Sequence, residues 1–381
     1  MMNAASLIFS NIHDSTIPEF TAVRTMASVP FAGRYRLIDF ALSNVVNSGI
    51  TRVGIITHYN YQSLVEHIGN GKDWDLARRT GGIKVLPPFI TAFDNSVAAK
   101  VYETRLEALL GVMNFITNCT EEYVVLMDSD VVLNVDFKKV IKAHEKTGAD
   151  MTIVTKRLNP AAGCVGKQSY CVKTNADGRL TDLTEVTDTD LESDELQVST
   201  NIFVFKRRYL LDLLLDARVR GYRNFYRHIV SANIEKANIR AYEYDGYYAK
   251  ISSLAGYYKE NLKLLSPESR RALFEVDGRS IYTKIRNTAP TSYHPGSRIK
   301  NSLIADGCII EGVVENSVIF RGVKVGRGTV VRNSVILQDT YIGNNATLDC
   351  VVTDKAVVIR DNRSLKGDES LPFFVPKGTM I

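Results

Sequence analysis

A chain of 381 residues with 45% hydrophobic content can bury a large core and divides into two or three domains. Its net charge of +5, from 47 basic and 42 acidic residues with no basic run, gives no footprint of nucleic-acid binding. No apolar run reaches the ~18 residues of a membrane span, and no basic segment followed by a long apolar stretch opens the chain, so the expectation is a cytoplasmic protein without a membrane partner. In chain order, ASLIF at 5–9, RVGIIT at 52–57, YVVLM at 123–127, DMTIVT at 150–155 and NIFVF at 201–205 read as strands. RLIDFALSNVVNSG at 36–49, residues 101–118 and YLLDLLLDARVRG at 209–221 read as helices. That alternation predicts a mostly parallel sheet with helices on both faces, a three-layer α/β domain over residues 1–246.

Residues 247–292 read as a helical connector, carried by SSLAGYYKENLKLLSPESRRALF. Tyr242, Tyr244, Tyr247, Tyr248, Tyr257 and Tyr258 are expected to pack it between domains. From 293 to 381 the period changes: NSLI at 301 recurs as NSVI at 316 and 333, and VGRGTV at 325 as IGNNAT at 342. This is a hexapeptide repeat, whose coils bury their aliphatic residues only by stacking. Ile299, Ile304, Ile309, Val318, Val325, Val335, Ile342 and Val351 are the expected shared core of a parallel β-helix. Cys119, Cys164, Cys171, Cys308 and Cys350 form no CxxC pair and no metal-ligand spacing, which predicts free thiols in a reducing compartment. His13, His58, His67, His144 and His228 show no ligand spacing and are expected to be hydrogen-bonded structural residues.

The segment FAGRYRLIDFALSNVVNSGITRVGIITHYNYQSLVEHI at 31–68, with EYVVLMDSD at 122–130 and the C-terminal hexapeptides, resembles the ADP-glucose pyrophosphorylases of bacterial glycogen synthesis. The resemblance covers nearly the whole chain and implies a Rossmann-like nucleotidyltransferase head followed by a left-handed β-helix. Catalytic members convert glucose 1-phosphate and ATP into ADP-glucose and pyrophosphate.

Set against that reaction, the residues are altered at each functional part. The family's glycine-rich phosphate loop should precede residue 29, yet the first glycine is Gly33 and the place holds SLIFSNIHDSTIPEF. A triphosphate cradle needs glycine for positive φ and for close approach of backbone to phosphate. Ser10, Asn11 and His13 stand there instead, with Ser15 in place of the loop's arginine. Asp130 matches the family's first Mg²⁺ aspartate, whereas Lys250, in YAKISS, replaces the second. Lys250 blocks the metal, mimics part of its charge, or is solvated; a carboxylate from elsewhere, such as Asp245, beside Asp130 would repair the site. Val186, in Glu185-Val186-Thr187, replaces the lysine on the sugar phosphate. Tyr102, Glu103 and Arg105 would crowd the base pocket, and Tyr170 and Asn201 replace glycines.

Such a chain resembles the regulatory D-type (GlgD-type) subunits. The resemblance implies a non-catalytic or weakly active subunit with no cofactor of its own, paired in a heterotetramer with a catalytic subunit that carries Mg²⁺. Arg24 and Arg36 correspond to positions that hold phosphorylated activators in some members, although Pro30 replaces a histidine and Val23 a lysine there; ordinary ion pairs are the competing reading. Two alternatives stand beside this one: an active glucose-1-phosphate adenylyltransferase with an atypical phosphate loop, and a nucleotide-sugar sensor without turnover. Acyl transfer, used by other hexapeptide proteins, needs a histidine base on a coil, and the last histidine is His294.

Overall fold

The computed structural model describes residues 2–88, 102–160, 165 and 169–381. Val101, where the expected 101–118 helix begins, and Cys164 lie outside the described residues.

The head is built on one nine-stranded sheet: β1 (Ala4–Phe9), β2 (Arg52–Ile56), β3 (Gly82–Leu86), β4 (Tyr123–Asp128), β5 (Met151–Leu158), β6 (Tyr170–Thr174), β7 (Leu180–Glu185), β8 (Leu196–Lys206) and β9 (Ile239–Glu243). The order is β7-β6-β8-β4-β1-β2-β3, with β5 between β8 and β9. Strands β4, β1, β2 and β3 are parallel and joined through helices, including Leu37–Asn47 and Gln62–Ile68. The other half departs from the expected parallel sheet. NIFVF is the end of an eleven-residue strand, β8, that runs antiparallel to β4, β5 and β6. Its register breaks between Ser199 and Ile202, where Asn201 takes φ 62°. The expected 101–118 helix is two short ones, Arg105–Gly111 and Met113–Thr117, broken at Val112. Apolar residues pack both faces of the sheet, such as Ile8, Ile38 and Val125 on one side and Leu7, Leu126 and Phe203 on the other.

The first residues of the connector, Tyr248–Lys250, form an antiparallel ladder with Val131–Leu133 of the head. Helices Leu254–Lys263 and Pro267–Phe274 follow, the first capped by Ser253 Oγ accepting from Gly256 N at 3.0 Å and the second opened by proline. Beyond them, three parallel sheets of five short strands stack as a β-helix. Asn301, Asn316 and Asn333 turn one corner of successive coils with φ of 43°, 47° and 44°. Asparagine tolerates this left-handed backbone better than other side-chain-bearing residues do, which explains the recurrence of NSLI and NSVI. Cys350 turns the next coil at φ 53°.

Val325, Ile342 and Val351 fill the coil core as expected, whereas Val318 and Val335 are buried outside it, against the head and connector, and their neighbours Ile319 and Ile336 point inside. Ile309 does not fill it either: it pairs beside Ile310, and Ile310 is the buried one. The alternation of a strand puts neighbours on opposite faces, so a one-residue slip in reading exchanges inside for outside. Ile299 is 39% exposed and Ile304 half-buried, because the first coil has another on only one side.

Head, connector and coils share one cluster. Ile17, Phe20 and Phe31 from the head meet Tyr257 and Leu264 from the connector and Val318, Phe320, Val335 and Val352 from the coils. Tyr257 donates to Pro30 O at 2.7 Å, and Asn261 Oδ1 accepts from Ala32 N at 2.9 Å. Of the six tyrosines expected to pack the connector between domains, Tyr247, Tyr257 and Tyr258 join this cluster, whereas Tyr244 and Tyr248 are buried in the head's own core and Tyr242 packs half-buried against it. The described cysteines are free and buried, and among the described residues no helix is long and apolar enough to cross a membrane.

Candidate functional site

The segment after β1 is closed upon itself. Asp14 N and Thr16 N donate to Asn11 O and His13 O, and Met26 N donates to Asp14 Oδ1 at 2.7 Å. Asn11 Nδ2 donates to Asp14, and Asn11 Oδ1 accepts from Thr57 Oγ1 and His58 N. Ser10 Oγ lies 2.8 Å from Ile56 O, while Ser15 is exposed. Among the described residues none before Ala32 has positive φ, so backbone donors that a phosphate would need are spent locally.

His13 leaves this loop to enter the site, a role its spacing did not suggest. Its Nε2 lies 2.7 Å from Asp128 Oδ2 and 3.7 Å from Asp130 Oδ2. Asp128 ends β4, and Asp130 follows two residues on, so one strand end presents both carboxylates. Arg105, at the start of its helix, bonds the same Asp128 Oδ2. Burial alone would discharge the His13 ring, but Asp130 and Asp128 outweigh it and raise its pKa. Burial also opposes ionisation of Asp128, yet Arg105 and His13 hold that carboxyl below its ordinary range. Asp130 is pushed up by burial, to which neighbouring Asp128 adds.

The ladder between Tyr248–Lys250 and Val131–Leu133 fixes Lys250 beside these acids, with Ile251 N donating to Asp130 O at 2.8 Å. Lys250 is buried, its Nζ lies 3.4 Å from Ser169 Oγ, and its charge acts on His13, Asp128 and Asp130. It therefore faces the site and is not a solvated lysine. Asp245 lines a separate cleft with Asp136, Lys139 and Arg279.

The Mg²⁺ that the resemblance implies does not fit these residues. His13, Asp128 and Asp130 bring ligand atoms within 4.8 Å of one another, and both Asp130 oxygens are buried without a hydrogen-bond partner. Mg²⁺, however, asks for oxygen ligands in an octahedron. Here an imidazole is one donor, and Arg105 and Lys250 already supply positive charge.

Arg105 also fills the pocket behind the acids. Its guanidinium lies 5.3–5.4 Å from the ring centroids of Phe9, Phe203, Phe225 and Tyr226. Tyr226 donates to Asn201 Oδ1, and Tyr170 stacks on Tyr226 with centroids 3.5 Å apart before reaching Glu185 at 3.1 Å. Tyr102 packs edge-on against His58, whereas Glu103 is exposed and does not crowd the pocket. Val186 turns away into an apolar cluster with Cys171, Leu196 and Val198. The remaining histidines hydrogen-bond locally, as His67 does to Asp39 at 2.6 Å and His144 to Thr152 at 2.8 Å.

A second cluster lies where head and coils meet. Arg24, buried, pairs with Asp354 of the β-helix at 2.8 Å, and its Nη1 is buried without a partner. Arg36 donates to Ser63 O and Oγ. Burial and then the charges of Arg36 and Arg24 push Lys355 down to about 6, and Arg286 acts in the same direction. Burial likewise lowers Arg36 to about 10, with Arg286 and Arg24 contributing. Lys355 and Arg286 were not legible as members, because they come from other parts of the chain.

Comparisons with known proteins agree with this architecture. Residues 19–263 match the family described as nucleotidyl transferase, and residues 289–370 match the GlmU-like C-terminal hexapeptide. The chain is 32% identical over 374 residues to the glycogen biosynthesis protein GlgD of Bacillus subtilis, spanning 98% of this chain and 95% of that protein. It is 32% identical over 336 residues to the glucose-1-phosphate adenylyltransferase of Thermotoga maritima (87% and 77%). The enzyme of that name from Bacillus cytotoxicus is 30% identical over 372 residues (97% and 96%).

Proposed function

Because the chain belongs to the glucose-1-phosphate adenylyltransferase family of nucleotidyl transferases, we propose that it is a regulatory subunit of ADP-glucose pyrophosphorylase in glycogen biosynthesis, weakly active or inactive alone. The observation that carries this reading is the interlock of His13, Arg105, Asp128 and Lys250 with Tyr226, Asn201 and Tyr170. Phosphoryl-type transfer depends on a triphosphate cradle and a metal held by carboxylates. In this chain the cradle is folded on itself, and the carboxylates hold the chain's own cations. The partner is a catalytic subunit in a hetero-oligomer, a heterotetramer by resemblance, and Mg²⁺ acts there.

The second cluster supports an effector role for Arg24 and Arg36. Arg24, Arg36 and Arg286 converge on Lys355 at one boundary, where Asp354 pairs with Arg24 and Asp39 offsets part of the charge on Arg36. An unpaired, buried guanidinium nitrogen among them suits a phosphorylated sugar or nucleotide.

An ADP-glucose synthesis assay tests the reading on this protein alone, on a catalytic subunit from the same organism alone, and on the two co-expressed. The expected result is little activity alone and a raised rate for the pair. Substantial activity alone favours the atypical enzyme. Calorimetry with ADP-glucose, ATP and AMP tests the sensor, which silence with all three would end.

A further inference from the structure

The effector reading leaves one carboxylate unexplained, the one that Arg24 already holds. We propose that Asp354 is the resident anion of this site, so that a phosphorylated effector binds only by taking its place on Arg24. The inference rests on the effector reading above. Asp354 is 1% exposed and spends one oxygen on Arg24 at 2.8 Å and the other on the backbone N–H of Lys355 at 2.7 Å. It thus presents the two features of a bound phosphate, a charge-assisted bond to a guanidinium and a bond from a backbone donor. Lys355 and Arg286, less buried than Arg24, form the rim through which an anion would enter. Asp354 does not saturate even Arg24, whose Nη1 still lacks an acceptor. A dianion offers more oxygens than Asp354 and brings the charge that the rim cations lack.

The exchange has a mechanical side. Asp354 follows the coil strand Val351–Thr353, while Arg24 belongs to the head. Displacing the carboxylate removes one tie between them and so couples anion binding to the boundary itself.

The test is binding of inorganic phosphate and glucose 1,6-bisphosphate to the full chain and to Asp354→Asn, measured by calorimetry. Losing a competing buried charge should tighten the bisphosphate by roughly tenfold, and adding Arg24→Gln should abolish the gain. Equal affinity for both proteins overturns the proposal and leaves the effector reading standing. No binding to either overturns both. Asp354→Ser offers a second route should the amide variant fold poorly. Hydrogen exchange on the unmodified chain needs neither: bound bisphosphate should speed exchange over residues 351–359, and unchanged exchange at saturation overturns the displacement.

Discussion

His13 and Asp128 are separated by 115 residues and meet at 2.7 Å, Nε2 to Oδ2. One stands in the segment where a phosphate loop is expected, the other at the end of the central strand β4. Each is an unusual choice alone, an imidazole among turn residues and an acid at a buried strand end. Together with Arg105 they form a charge-paired cluster around Asp128 Oδ2, so these three residues are coupled and not independent substitutions.

Arg105→Met should destabilise the chain by about 3–5 kcal/mol, since breaking a buried pair strands Asp128 with its remaining partner. Urea unfolding measures it. The double variant Arg105→Met/Asp128→Asn should lose clearly less than the sum of the single variants; strict additivity would falsify the interlock.

Placing an aspartate at position 250, where the resemblance puts the family's second metal carboxylate, should not raise activity. Lys250→Asp removes one cation, but His13 and Arg105 stay on Asp128 and the loop donors stay engaged. With glucose 1-phosphate, ATP and Mg²⁺, pyrophosphate release should remain at the level of the unmodified chain. A clear rise would show that Lys250 alone was the obstacle.

Cys350→Asn should stabilise the β-helix by about 0.5–1 kcal/mol, because left-handed backbone disfavours cysteine and suits asparagine. The corner is the one that Asn301, Asn316 and Asn333 already turn. A thermal midpoint lower than that of the unmodified chain counts against this account.

Acid should weaken the head through His144. Burial first, then Lys206, lowers its pKa to about 4 from the model-peptide value of 6.5. The folded state therefore favours the neutral ring, and its contribution is complete above pH 6.5. That contribution falls as pH drops from 6.5 towards 4, by about 1 kcal/mol per unit. In His144→Gln this part of the slope should vanish; an unchanged pH profile of stability would refute the assignment.

Periodicity made the parallel half of the head and the coils legible, since strands and coils that bury aliphatic residues write their spacing into the sequence. The antiparallel strand Leu196–Lys206 was only half visible, because Ser199 to Asn201 interrupt its apolar run where the register shifts. Asp130, Lys250 and Asn201 could be singled out by the resemblance, but their partners could not. Asp128, two residues before Asp130 on one strand end, was the available signal that a second acid faces the site. Nothing local marked Asp354 or Lys355, and His13, legible only as standing in the place of the loop's glycines, gave no sign of a partner 115 residues away.

The hydrophobic cluster joining Phe20 and Phe31 to Tyr257 and to Val318, Val335 and Val352 limits how such a chain can change over time. His13, Arg105 and Asp128 lie outside this cluster, so they can change without breaking it. Deleting either half would leave the other with a raw apolar wound. A gene of this kind can change its cleft one residue at a time, yet it cannot shorten to one half.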